Sequence, residues 1–504
     1  MTHKAPQPDS RGTIDLAGYI ANDAATDNTP RLLALRDVLH EHRDRPLTLR
    51  FPAGGEVHYT DNRWLWGVGD VTIQGDGTGF RCTSTSAWDA DTRPFNVKTP
   101  FHILGPISRA EENRRGNPFT VGALVLASAL KGATRIEVAE PEQYVGRRVL
   151  IYGYDMQQGG FPPNPRFFHF TRGSAVGGRG LEIADPLPFA LCTDWPDFDQ
   201  FTGPIGRPRI LSLERSDYHH PRRIRLRGVR WLPGLDGGVG AGASSLCADI
   251  LELEDCEGDY CTFGIARTVM MTRVSAREWE PDKIIGELKL DGCRALEGFS
   301  EATGVRRLSA RNCVFGGDIR PRGPEMEFTD CRFVGLPEHT FGIWRYIDRY
   351  AVARLCFVGC TFDATASPDL RYAINPSADD TQPALLPMIE VIEVLPEAVA
   401  VRAVGRWEGQ DVDLWANMLA GQPLLDASGV SRGVVDELRS DAGGRVLVRA
   451  TWDQPPQVGA VYQMWLIFGR FDGGGNKVIG RDVPLWRGKF ESGRTKSTGA
   501  SDPR

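Results

Sequence analysis

Between residues 210 and 365 apolar and polar positions alternate with period two in short bursts, and each burst closes on the same phrase. LSARNC, ending at Cys313, and MEFTDC, ending at Cys331, both read apolar-x-apolar-x-[Asp/Asn/Gly]-Cys. LELEDC (to Cys256), LKLDGC (to Cys293) and LCFVGC (to Cys360) repeat it, while IRLRGV (to Val229) and VMMTRV (to Val274) end in Val. From Val229 through Cys256, Val274, Cys293, Cys313 and Cys331 to Cys360 the steps are 27, 18, 19, 20, 18 and 29 residues. Period two marks a strand with one buried face. Asp, Asn or Gly then tolerates a left-handed bend, and the Cys or Val after it turns inward again. A unit of about 20 residues cannot bury its own apolar face and must stack on copies of itself. The expected fold is therefore all-β, a parallel β-helix; the LxxLxLxxN phrase of the rival leucine-rich solenoid is absent.

The pattern turns helical once. NTPRLLALRDVLHEH (residues 28–42) offers Asn28 or Thr29 as N-cap, Pro30 in the first turn, and Leu32, Leu35, Val38 and Leu39 on one face. Such a helix ahead of the first strand would cover the open end of the solenoid. That helix text, then LRFPAGGEVHYT (Leu49 to Thr60) and VTIQGDGTGF (Val71 to Phe80), resembles the entry segment of the pectate-lyase-like single-stranded right-handed parallel β-helix superfamily, of phage tailspike and polysaccharide lyase type. The resemblance covers residues 15 to about 105 by motif and 210 to 365 by repeat. It implies a homotrimer, and a sugar chain lying along the outside of the helix.

The remaining text divides the chain further. Residues 1–27 form an N-terminal segment, 28–117 the helix and first coils, and 118–210 an inserted β unit with loops. Residues 211–365 are the main β-helix and 366–385 a linker by composition. Residues 386–490 read as a small sandwich-like β domain carrying several Trp, and 491–504 as a disordered tail.

A chain of 504 residues is long for one ordinary core, though a stacked solenoid can grow to this length. No apolar run approaches the ~20 residues of a membrane span. A net charge of -6 argues against broad nucleic-acid binding. The first residues lack an apolar signal region, so synthesis in the cytoplasm without a signal peptide is expected, with action on a particle or outside the cell. The 10 Cys form no CxxC pair; packing thiols are the plainer reading, with bridges between stacked Cys left open and no metal expected, since no His joins the ladder.

Counting forward from each inward residue places Asp259, Glu278, Glu297 and Asp318 in one outward column. Glycoside hydrolysis uses two carboxyl groups ~5 to 9.5 Å apart, which makes Glu278, Glu297 and Asp318 the candidate catalytic residues. A solvated acidic face is the plainer account of such a row in a chain with 65 acidic residues. Arg320 and Arg322 could clamp a carboxylate, but Arg outnumbers Lys 51 to 8, so a given Arg carries little information. Trp279, Trp344, Arg345 and Tyr346 have the chemistry to stack on and hydrogen-bond sugars. Three functions remain open: a spike that binds and depolymerises or only binds cell-surface polysaccharide, a dedicated polysaccharide lyase or glycoside hydrolase, and a structural trimeric stalk. No cofactor is expected, except Ca²⁺ for a lyase.

Overall fold

The structure is a computed structural model. It describes residues 4–84, 100–101, 122–130, 132–153, 167–188, 191, 193, 208–215, 218–234, 246–261, 265–279, 285–300, 305–320, 325–340, 342–345, 352–375, 388–404, 423–428, 430–441, 445–464 and 468–485. The chain divides into two compact units: residues 1–121, 211–305 and 309–319, and residues 122–210, 306–308 and 320–504.

The first unit is built of parallel rungs. Thr13–Asp15 pairs with Leu47–Arg50, which pairs with Val71–Cys82, which pairs with Arg223–Leu232. Ala248–Glu254, Ala266–Thr272 and Ile285–Asp291 continue that face, all parallel and in register. Leu49, Ile73, Leu226, Leu253, Met271 and Leu290 stand over one another inside, all buried. Glu257–Cys261, Ser275–Trp279 and Arg294–Ser300 make a second face of the same coils. This is the parallel β-helix that the period-two phrases predict.

Between the two faces lies the conserved geometry of the phrase. Gly228, Asp255, Arg273, Gly292 and Asn312 all have φ between 52° and 62°. The pairing places each over its equivalent on the adjacent coil, and the next residues, Val229, Cys256, Val274, Cys293 and Cys313, are all buried beneath the wall. Backbone bonds run straight through the bend: Arg273 N–H donates to Asp291 O (2.9 Å) and Arg294 N–H to Val274 O (2.8 Å). The Cys256 and Cys293 thiols donate to carbonyls around the bend, as in Cys293 Sγ to Met271 O at 3.3 Å. Burial pushes the Cys256 thiol up to about 11, so it stays protonated.

The helix spans Thr29–Glu41 and buries Leu32, Leu35, Val38 and Leu39 as the pattern requires. Its capping differs from expectation. Asn28 makes no side-chain cap; its amide instead joins Ala21 N–H and carbonyl, while Asp27 accepts from Thr29 N–H at 2.9 Å. Nor does the helix precede the first strand, because Thr13–Asp15 already forms a rung against Leu47–Arg50. Three residues were too few to show period two.

In the second unit, residues 122–210 carry antiparallel strands with their own core of Val125, Ile136, Val149, Ile151, Leu181 and Ile210. Parallel rungs recur in Glu325–Thr329 against Val352–Val358 and Arg332–Val334 against Thr361–Asp363. The proposed linker begins inside a rung, since Ile374–Asn375 pairs with Trp344–Arg345. The strands from Met388–Val394 to Val461–Met464 close into a six-stranded barrel rather than an open sandwich. Its core is Ile389, Val391, Val401, Leu424, Val435 and Val448. The chain then returns to the solenoid: Phe468–Gly474 pairs parallel with Val352–Val358, and Lys477–Ile479 with Thr361–Asp363. The barrel is therefore set between coils, not appended after them.

That returning coil carries the bend too, at Gly475 (φ 69°), over Gly359 and Asp330. The inward place, held by Cys331 and Cys360 below, now holds Asn476. Its Oδ1 accepts from Cys360 N–H (2.9 Å) and its Nδ2 donates to Phe357 O (2.8 Å). Asn476→Ala removes both bonds and is expected to cost about 1–3 kcal/mol of unfolding free energy in denaturant titration. Gly292→Ala meets only the Arg273 side chain at 3.6 Å and should cost about 1–2 kcal/mol for the left-handed backbone alone. Gly317→Ala, whose added Cβ would lie 1.7 Å from Glu297 O, should cost clearly more.

Near the N-terminal end of the first unit Arg81 grips Glu56 through Nε (2.9 Å) and Nη2 (3.1 Å) and also donates to Pro233 O (2.7 Å). His58 Nε2 lies 2.9 Å from the same carboxylate. Arg81, then His58, hold the Glu56 carboxyl down from 4.5 to about 2. A depressed carboxyl pKa stabilises the fold above its unfolded value, and that contribution disappears as pH falls from about 4.5 towards 2. Glu56→Gln should flatten the acid limb of unfolding free energy against pH in that window.

Candidate functional site

The outward face of Glu257–Cys261, Ser275–Trp279 and Arg294–Ser300 gathers the charged residues that the sequence singles out. Along Ser275–Trp279, Ala276 and Trp279 are buried, and Arg277 and Glu278 between them are partly exposed. The neighbouring strand Arg294–Ser300 carries a bulge against this one. Ala276 pairs with Ala295 and Glu278 with Gly298, so Leu296 and Glu297 together face Arg277. The irregularity passes upward into Gly316 and Gly317, where a Cβ would strike Leu296 O at 2.5 Å and Glu297 O at 1.7 Å. Only glycine fits over the bulge, and Asp318 follows it at the start of Asp318–Arg320.

The single acidic column expected from counting is therefore corrected by one residue at its second step. Asp259 stands opposite Arg277, since their neighbours pair Gly258 with Ala276 and Tyr260 with Glu278. Arg277 Nε donates to Asp259 Oδ1 (2.7 Å) and its Nη1 to Glu297 Oε2 (2.8 Å). Asp259, Arg277 and Glu297 form one column of alternating charge on three coils. Glu297, then Asp259, raise the guanidinium pKa further, fixing the cation. Glu278 belongs to the next column, between Tyr260 and Gly298, with its Cγ 3.3 Å from where a Gly298 Cβ would be. Among the described residues Glu278 has no hydrogen-bond or ion-pair partner. Glu278 and Glu297 are thus neighbours across columns rather than along one.

The wall beneath is rigid. Trp231 fills the space over Gly258, where a Cβ would lie 1.7 Å from its indole nitrogen, and that nitrogen donates to Tyr260 O at 2.9 Å. Trp279 is 2% exposed and meets Phe299 and Phe315 edge-on at 5.8 and 6.1 Å. Trp344 is 0% exposed and meets Phe357 at 5.8 Å. Both indoles are core residues, so the expectation that they stack on sugars is overturned. Arg320 and Arg345 lie in the strands Asp318–Arg320 and Trp344–Arg345. Arg322 and Tyr346 lie outside the described residues. No group of three metal-ligating side chains occurs among the described residues.

Sequence reasoning missed Arg277 and Tyr260. The signal was present: Asp259, Arg277 and Glu297 are 18 and 20 residues apart, the coil step itself, with alternating sign.

No protein-family model matches the chain, and no curated protein matches it. Among solved structures it is similar to the tailspike gp49 of Pseudomonas phage LKA1 (14% identity, TM-score 0.37), over 69% of this chain and 54% of that one. The chain thus spans about half of that tailspike. It is also similar to the gp54 tailspike of Acinetobacter baumannii bacteriophage AP22, solved with an A. baumannii capsular saccharide (10% identity, TM-score 0.34, 90% of this chain, 95% of that one). The tailspike gp61 of Pseudomonas phage phi297 aligns over 90% of this chain and 98% of its own, at 9% identity and TM-score 0.31.

A double-mutant cycle should separate the two arms of the charged column. Asp259, whose side chain is 14% exposed, is expected to couple to Arg277 by about 1 kcal/mol. Glu297, at 61%, should couple by only a few tenths of a kcal/mol in the same urea titrations.

Proposed function

We propose that the protein binds a cell-surface polysaccharide along the outer wall of the first unit, over Tyr260, Arg277, Glu278 and Glu297. One observation carries the reading. A half-buried carboxylate with no partner among the described residues, Glu278, sits between a tyrosine and a glycine, beside an arginine held by two other carboxylates. A glycine next to a carboxylate leaves room for a ring, the tyrosine offers a face and a hydroxyl, and the carboxylate accepts from sugar hydroxyls. The parallel wall repeats every ~4.8 Å, so it presents these groups as a track for an extended polymer.

The same carboxylate favours hydrolysis as a second reading. Glu278 and Glu297 belong to adjacent columns, and two carboxyl groups are what glycoside hydrolysis needs. Asp318 is the third candidate, on the far side of the glycine pair. A uronate lyase needs a cation to neutralise the substrate carboxylate. Arg277 already carries two carboxylates, which weighs against that chemistry at this place. A homotrimeric particle-borne spike, which the sequence resemblance implies, is the assembly we propose to go with this function.

Incubation with a panel of purified bacterial capsular polysaccharides, followed by size-exclusion chromatography, tests both readings. At least one polymer should co-elute with the protein, and Tyr260→Ala should weaken that retention. If the polymer is shortened, Glu278→Gln should slow cleavage by about 10²–10⁴-fold while retention persists. Retention that survives Tyr260→Ala, Arg277→Ala and Glu278→Gln alike would place binding elsewhere.

A further inference from the structure

The inward column after the bend accepts more than one residue. Val229 and Val274 fill it as hydrocarbon, so packing alone does not require sulfur. Cys256 lies between those two valines in the register. Elsewhere cysteine stands directly on cysteine. Arg294 pairs with Val314, which places Cys293 opposite Cys313 in the first unit. Thr329 pairs with Val358 and Arg332 with Thr361, which places Cys331 opposite Cys360 in the second. None of the four is in a disulfide, and all are buried.

The contact in each pair is close. Cys293 N–H donates to Cys313 Sγ at 3.4 Å. Adjacent parallel rungs lie ~4.8 Å apart. A disulfide spans Cα separations of ~4.4–6.8 Å. Each pair therefore meets the Cα spacing requirement, and each would tie one coil to the next.

We propose that Cys293–Cys313 and Cys331–Cys360 are two latent disulfide sites, one in each unit, that staple neighbouring coils when the protein meets a thiol oxidant. The inference does not depend on the ligand. With a diazene dicarboxamide as oxidant, one thiolate adds across the N=N bond. The second thiolate attacks the bound sulfur, the S–N bond breaks, and the hydrazine leaves with two electrons and two protons. Burial shields the thiols from the oxidant, so the reaction proceeds through opening of a coil and is slow in the resting protein. Cys256 has only valine neighbours in the column and stays a thiol.

The full-length protein is treated with diamide just below its melting temperature, alkylated with iodoacetamide in denaturant, and digested without reductant for mass spectrometry. The expected products are peptides joining Cys293 to Cys313 and Cys331 to Cys360, with Cys256 alkylated. The melting midpoint should rise and return on adding dithiothreitol. Cys313→Val should abolish only the first linkage and Cys360→Val only the second; valine already holds this slot at Val229 and Val274, so both variants should fold. Full alkylation of all four thiols after prolonged oxidation would overturn the proposal. So would Cys256 pairing as often as the other four, because that is scrambling in unfolded chains.

Discussion

Most of the structure depends on one backbone constraint, a single left-handed residue at the same step of the coils from Gly228 to Gly475. At that step the chain bends, the next side chain drops into the core, and inter-coil backbone hydrogen bonds hold the residues on either side of it. A left-handed conformation costs an ordinary residue ~1–2 kcal/mol, so the position selects Gly, Asn or Asp. Arg273 is the departure. It holds φ 52° without a permissive side chain, and its guanidinium is tied to Asp255 on the coil below at 2.6 and 2.8 Å. With this step fixed, a slip by one residue would turn the Leu and Cys columns outward, and burial of both faces of the coil forbids that.

Fixing the inside fixes the outside. Once Ala276 and Trp279 are pinned inward, the residues between them must both face solvent. The extra residue on Arg294–Ser300 is what lets Arg277 reach down to Asp259 and up to Glu297. The bulge thus brings Glu297 to Arg277, and the charges of the column alternate. The glycines above it, Gly316 and Gly317, confine the irregularity to one place on the wall.

What could be read from the sequence follows from the same physics. The solenoid, its inward thiols and its permissive bend were legible because each is enforced at every coil, so the phrase recurs. The outward side chains obey no such rule. Asp259 and Arg277 both stand three residues after an inward residue, Cys256 and Val274, so an even count already puts Arg277 rather than Glu278 in the column; what counting could not foresee is the bulge that brings Glu297, four after Cys293, to face Arg277. Trp279 and Trp344 are buried where strict alternation does not put them: Trp279 lies three residues after the inward Ala276, and Trp344 directly follows the buried Ile343. The barrel's position between coils was hidden for a different reason. The coil after it reads FDGGGN, with glycine at Gly473 where the phrase has an apolar residue and Asn476 where it has Cys, so the repeat went unrecognised.

That last coil also explains what the column's side chains do for the backbone. At two of the bends the inward residue's N–H donates to the side chain of the next coil. A thiol accepts there weakly, as Cys313 Sγ does from Cys293 N–H at 3.4 Å. Asn476 does the same for Cys360 at 2.9 Å and, with its other amide atom, also satisfies Phe357 O. Gly473 makes this geometry available, since a Cβ there would lie 2.4 Å from Phe357 O and 3.1 Å from the Asn476 amide nitrogen. Sulfur suffices where further coils and an apolar interior share the burden. On the coil that re-enters after the barrel, among the described residues no later strand stacks above, so a stronger acceptor stands where the thiols stood. The change from Cys to Asn is therefore the same structural role met at a boundary.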